Sequence, residues 1–245
     1  MSTLYLQLEQ SKIGKYVIFS GDPSRVKRIA SFLEDAEEVA SNREFVTYTG
    51  MYNNVKITVT STGIGGPSTA IAMEEMYDSG MEVAIRIGTI MGLKENLGQI
   101  MIPSGAMRME STSKEYVDAS YPAVSNLEVV NTMNNTAREH GLDHNNSIIC
   151  SLDKFYGDMK PSGLSKKLNY DNEEFFDELT RYNIGGIDME SGTVLTLANL
   201  MGIKGAIVTL TTVLKNVDKQ LTDRSEMDNK MVKLVLDGIV NLDSK

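Results

Sequence analysis

Arg25 in GDPSRV, Arg43 in NREF and Arg86 in RIGT each stand at the edge of an apolar run that reads as a β-strand. Planar guanidinium forks match phosphate oxygens two at a time, and a glycine N–H at a strand-to-helix turn adds an unobstructed donor. Gathered with Gly21 and Thr89 in a compact α/β domain, these arginines would hold one small multivalent anion, and phosphate is the natural reading. A second cluster, Asp188-Met189-Glu190-Ser191, follows GGI and precedes the helical TVLTLANLMG. A carboxylate at a strand mouth can accept two hydrogen bonds from a vicinal diol, and a methionine thioether offers a polarizable apolar face to a sugar ring. Ribose is such a ligand. Taken alone, Asp188 and Glu190 could instead simply favour the positive end of the following helix.

Combined, a phosphate pocket and a diol-binding carboxylate suggest phosphate attacking C1′ of a nucleoside to give ribose 1-phosphate and a free base. That reaction needs no protein nucleophile. The chain would orient phosphate beneath C1′, stabilise the positive charge developing on ribose and hydrogen-bond the departing base.

The elements that must position these residues alternate along the chain. YVIFSG is followed by the helical PSRVKRIASFLEDA, and VKITVTSTG by GPSTAIAMEEMYDSG. VAIRIGT and GQIMIP come next, and the later half repeats the alternation up to a C-terminal helix near Glu226–Leu242. Such an order predicts an α/β fold, and the continuously apolar strands predict a sheet covered on both faces. No repeat or linker divides the chain, so residues 1–245 read as a single domain. In GDPSRV, Asp22 is the expected N-cap and Pro23 the first helical residue, so the turn presents the Gly21 N–H outward. The glycines of STGIGGPST fit neither the dinucleotide G-x-G-x-x-G nor a P-loop. Met109–Pro122 is polar and turn-rich, either a site loop or a surface excursion.

At 245 residues, 41% hydrophobic and 23% charged, the composition is that of an ordinary globular protein. The net charge of −9 argues against a broad nucleic-acid surface. No basic region with a long apolar segment opens the chain, which predicts a cytoplasmic protein with no membrane partner. Cys150 is the only cysteine, and within SIICSL it reads as core. His140 and His144 lie at a helix exit, where a histidine suits the dipole.

The motifs GDPSRV, ASNREF, STGIGGPSTAIAMEE, RIGT, CSLDKFYG, DMES and KGAIVTLTTVLK, spread over almost the whole chain, resemble the nucleoside phosphorylase-I family and, within it, the uridine phosphorylase branch. The resemblance implies a three-layer α/β/α domain with a central mixed β-sheet, and an enzyme of the pentosyltransferase class acting on uridine or a related pyrimidine nucleoside. It implies phosphate held by Gly21, Arg25, Arg86 and Thr89, with Arg43 reaching in from a neighbouring subunit. Ribose would meet Met189 and Glu190, with Tyr5 standing where relatives place a histidine that reaches the 5′-hydroxyl from the neighbouring subunit. Phe155 and Lys215 would face the base, and Arg86, Glu190 and Lys215 would serve the reaction. The family pattern further implies a homodimer with two shared sites, which can assemble into a hexamer. No cofactor is implied beyond phosphate as co-substrate, apart from a potassium ion on the dimer axis whose ligands match Glu44, Ile64 and Ser68.

The sequence departs from that pattern where the base is read. Met159 and Pro161 stand at the positions of a uracil-reading Gln and Arg, and neither can replace an amide or guanidinium. Lys215 replaces a second arginine, keeping charge without the planar fork. Ile90 and Met91 replace a hydroxyl residue and a glycine after RIGT, and Asp188 is one methylene shorter than the usual Glu. Two alternatives to a uridine enzyme follow, a phosphorylase of other base preference such as purine, and a divergent member that binds nucleoside or phosphate with little turnover.

Overall fold

In the computed structural model, which describes residues 2–94, 96–170 and 172–245, the apolar runs become strands of one sheet. The chain runs through β1 (Tyr16–Ser20), α1 (Pro23–Ala30), β2 (Glu34–Asn42), β3 (Phe45–Tyr52), β4 (Val55–Ser61), α2 (Gly66–Asp78), β5 (Val83–Gly92), β6 (Ile100–Met101), β7 (Gly105–Arg108) and α3 (Thr112–Tyr116). It continues through β8 (Ala123–Val124), α4 (Leu127–Glu139), β9 (His144–Asn145), β10 (Ile149–Ser151), α5 (Gly163–Lys167), α6 (Glu173–Arg181), β11 (Gly186–Asp188), α7 (Ser191–Leu200), β12 (Lys204–Leu214) and α8 (Ser225–Asp243).

The sheet is mixed and has 12 strands, in the order β2-β3-β4-β1-β5-β11-β10-β7-β8, with β12 joining β5 to β6 and β9 beyond β6. β1 lies parallel to β4 and β5, and β5 lies parallel to β12. Helices cover both faces. Val26 and Ile29 of α1, Met133 and Ala137 of α4 and the apolar side of α8 share one core with Ile18, Ile57 and Ile85. Met73 and Met76 of α2 and Val194 and Leu197 of α7 pack on the other face against Val17, Phe19 and Ile207. This is the expected three-layer α/β/α arrangement. Each fully buried Val, Ile, Leu or Phe contributes about 1.5–3 kcal/mol of transfer free energy, so both layers are held by their apolar faces.

One stretch departs from the helical reading of PSRVKRIASFLEDA. The helix stops at Ala30, and Glu34-Asp35-Ala36 open β2 instead. β2 is an edge strand paired only with β3, and its acidic residues are solvent-exposed. Charge on an edge discourages pairing with another chain. The polar segment 109–122 is organised by the buried Arg108, which donates to the carbonyls of Ser113, Val117, Asp118 and Tyr121. It contributes nothing to the cavity described next, so it is a tied-down surface excursion.

Candidate active site

β5 positions the site. Its pairing with β12 runs from Val83 to Gly92, whereas β1 pairs only with residues 83–86 and β11 only with Met91 and Gly92. Residues 87–90 therefore have no ladder partner on the β1 side. A cavity of about 540 Å³ opens at this gap, beyond the C-terminal end of β1 and along the C-terminal halves of β5 and β12. Ligands in open α/β sheets gather at such carboxyl ends.

Its basic end brings together Gly21, Arg25 and Arg86 with Thr89. Asp22 caps α1 by accepting from the N–H of Ser24 at 2.8 Å, with Pro23 at the first position, as the sequence predicts. The cap aims the first turn, and with it Arg25, into the cavity. Burial pushes the pKa of Arg25 down, Asp228 opposes this, and the positive charges of Arg224 and Arg86 push it down further. The Nε atoms of Arg25 and Arg86 are buried with no hydrogen-bond partner. Converging guanidiniums with orphaned donors are what a bound anion would satisfy. Arg224, just before α8, also lines this end. Sequence reasoning missed it because it stands about 200 residues from Arg25 in a polar loop with no motif.

Arg86 and Gly88 are two apart on a strand and so share one face. The guanidinium folds back over Gly88, where a Cβ would lie 2.2 Å from Nη1. Nη2 pairs with Glu190 and lies 3.2 Å from Asp188. Burial opposes the charge of Arg86, but the two carboxylates together outweigh it and raise its pKa. Glu190 is raised as well, by burial first and by Asp188, against the pull of Arg86.

The two carboxylates have different surroundings. Asp188 is saturated by the hydroxyl of Ser151 at 2.7 Å, the hydroxyl of Ser191 at 2.6 Å and the Ser191 N–H. It therefore fixes the start of α7 and orients Arg86. Glu190 receives the N–H of Gly65 at 2.7 Å across 125 positions of sequence. Gly65 has φ +95°, a conformation L side chains rarely adopt, so the glycine-rich turn before α2 is needed to aim that N–H. Met189 and Glu190 line the cavity beside Arg86.

The far end is apolar. Phe155, Met159, Met91, Ile187, Val213 and Met189 belong to one cluster and line the wall. Met159, read as a loss relative to a uracil-binding Gln, is thus part of that wall and largely buried.

One residue expected to face the base is elsewhere. Lys215 does not line the cavity. Its Nζ pairs with Glu173 of α6 at 2.8 Å and lies 5.7 Å from the Phe176 ring centre. The short 3₁₀ turn Lys215–Val217 after β12 carries it outward. Arg43 and Tyr5, expected to serve a neighbouring subunit's site, lie outside their own chain's cavity and together, with the guanidinium 5.8 Å from the Tyr5 ring centre. Glu44, Ile64 and Ser68 gather at one spot. The Ser68 hydroxyl lies 3.4 Å from the Ile64 carbonyl, and a Cβ on Gly63 would meet Glu44 and Ser68 at once. Cys150 is buried, its thiol pushed up to about 12 chiefly by burial, so it belongs to the core as expected.

Residues 15–236 match the family model described as the phosphorylase superfamily. The chain belongs to this superfamily. It is 37% identical over 206 residues to a uridine phosphorylase of Thermococcus kodakarensis, covering 83% of this chain and 74% of that one. It is 34% identical to a guanosine phosphorylase of Halorubrum lacusprofundi, over 84% of this chain and 81% of the other. A crystal structure of uridine phosphorylase from Vibrio fischeri superposes with a TM-score of 0.83 at 26% identity, covering 98% of each chain. Membership extends across both halves of the sheet, since the matched span takes in every strand from β1 to β12. Among the described residues, no helix is long and apolar enough to cross a membrane.

Proposed function

We propose that this superfamily member is a nucleoside phosphorylase, a pentosyltransferase of the cytoplasm that cleaves uridine or a related nucleoside reversibly to free base and ribose 1-phosphate. The observation that carries this reading is the convergence of Arg25, Arg86 and Arg224 on one cavity whose opposite end is apolar and whose middle holds Glu190. Phosphate sits against Arg25, Arg86, Gly21 and Thr89. One of its oxygens attacks C1′, the glycosidic C–N bond breaks, and its electron pair leaves with the base. Glu190, held by Gly65 and Arg86, accepts from the ribose hydroxyls and stabilises the positive charge developing on the ring. The test is base release from uridine, thymidine, 2′-deoxyuridine, inosine and adenosine, each with and without phosphate. Release that depends on phosphate is expected, and turnover equally fast without phosphate would overturn the reading.

We further propose that the working unit is a homodimer with shared sites. Arg43 and Tyr5 lie side by side outside their own cavity, and Ile64 at its mouth is 76% exposed, so both suit a second copy. Glu44, Ile64 and Ser68 supply a carboxylate, a carbonyl and a hydroxyl, hard oxygen donors suited to a potassium ion shared with the partner. Arg43→Ala and Glu190→Ala proteins, each inactive alone, are expected to recover activity when mixed and allowed to exchange subunits, because one of the two mixed sites is then intact. No recovery would place Arg43 in its own chain's site or in none.

A further inference from the structure

The pairing of β12 with β5 advances residue by residue from Lys204 opposite Val83 to Thr211 opposite Ile90, then skips to Val213 opposite Met91. Thr212 is therefore the extra residue of a β-bulge. Bulges re-aim a side chain and recur beside sites. Thr212 is largely buried and lines the cavity next to Val213, which packs in the apolar cluster of Met91, Met159, Ile187 and Phe155. Its carbonyl is used, accepting from the Leu221 N–H at 2.8 Å. Its hydroxyl has no hydrogen-bond partner among the described residues.

Among the described residues, the other side chains of that apolar wall have no group that reads a base by hydrogen bonds. The charged ones lining the cavity, again among the described residues, are Asp22, Arg25, Arg86, Asp188, Glu190 and Arg224, which belong to the phosphate and ribose ends, and no amide or imidazole side chain among them lines it. A hydroxyl rotates to donate or to accept, so it serves any base that presents a carbonyl or ring nitrogen. Thioethers adapt to planar ligands of different outline. We propose that Thr212 is the base-contacting group of this site, donating to the base as it leaves with negative charge. We include in that proposal that the site takes both pyrimidine and 6-oxopurine nucleosides. This rests on the phosphorylase reading above.

The experiment measures kcat/KM for uridine, inosine and guanosine, and KM for phosphate, in the wild-type chain and in Thr212→Val and Thr212→Ser. Valine keeps the shape of threonine without the hydroxyl, and serine keeps the hydroxyl. Wild type is expected to cleave uridine and at least one of the purine nucleosides with kcat/KM values within about tenfold of each other, given one adaptable hydrogen bond. Thr212→Val should lower each of these values about tenfold with KM for phosphate unchanged, and Thr212→Ser should restore them to within about twofold. A purely structural role would move KM for phosphate or the melting temperature as well. Unchanged kcat/KM in Thr212→Val, or cleavage of only one class of base, overturns this inference and leaves the phosphorylase reading intact. Absence of phosphate-dependent release from every nucleoside in wild type overturns both.

Discussion

Arg86→Ala is expected to lower phosphate-dependent turnover about a thousandfold, the loss that follows removal of a preorganised donor from a buried site. Two effects combine. The variant removes a guanidinium from the phosphate end of the cavity, so KM for phosphate should rise. It also strips Glu190 and Asp188 of the cation between them. Leaving a buried ion pair without one partner costs about 3–5 kcal/mol of stability, so the melting temperature should fall too. Arg86→Lys separates the two effects. It keeps a positive charge near both carboxylates and loses the planar fork, so the fold should hold while activity stays well below wild type. Initial rates against phosphate concentration, with melting curves of both variants, decide the matter. Turnover unchanged in Arg86→Ala under limiting phosphate would rule out the mechanism.

Gly88→Ala should cost about a hundredfold in kcat/KM with a smaller fall in melting temperature than Arg86→Ala, because the guanidinium shifts but stays beside both carboxylates. The added Cβ would lie 2.2 Å from Nη1 of Arg86 and 2.8 Å from its Cζ, so the guanidinium must move. Those atoms are the far end of a flexible side chain, and alanine is compatible with a strand, so β5 keeps its pairing with β1 and β12. The damage is confined to position, and a misplacement of about 1 Å at a reacting centre costs about 10²-fold. A melting temperature that drops further than in Arg86→Ala would mean that the glycine serves packing. Unaltered activity would mean that the guanidinium has room that the geometry denies it.

The sequence made the local elements of this site legible. Asp22 and Pro23 announce a capped helix start, and the glycines before Pro67 announce the turn that supplies the Gly65 N–H. Each depends on a few neighbouring residues, and such signals survive without tertiary context. The same locality explains the misreading of 34–36, where a charged run continued a helical pattern and only pairing with β3 made it a strand.

Composition and short-range spacing thus encode the α/β alternation, the phosphate-type motifs around Arg25 and Arg86, and the carboxylate cluster at 188–190. Long-range folding settles how these meet. It brought Arg224 to Arg25, turned Lys215 away toward Glu173, and split Asp188 from Glu190 in their surroundings. It also inserted Thr212 into the cavity wall. Each of these depends on strand register or on packing between segments tens to hundreds of residues apart. A one-residue bulge in β12 re-aims the residue it inserts, and no local pattern records where such a bulge falls.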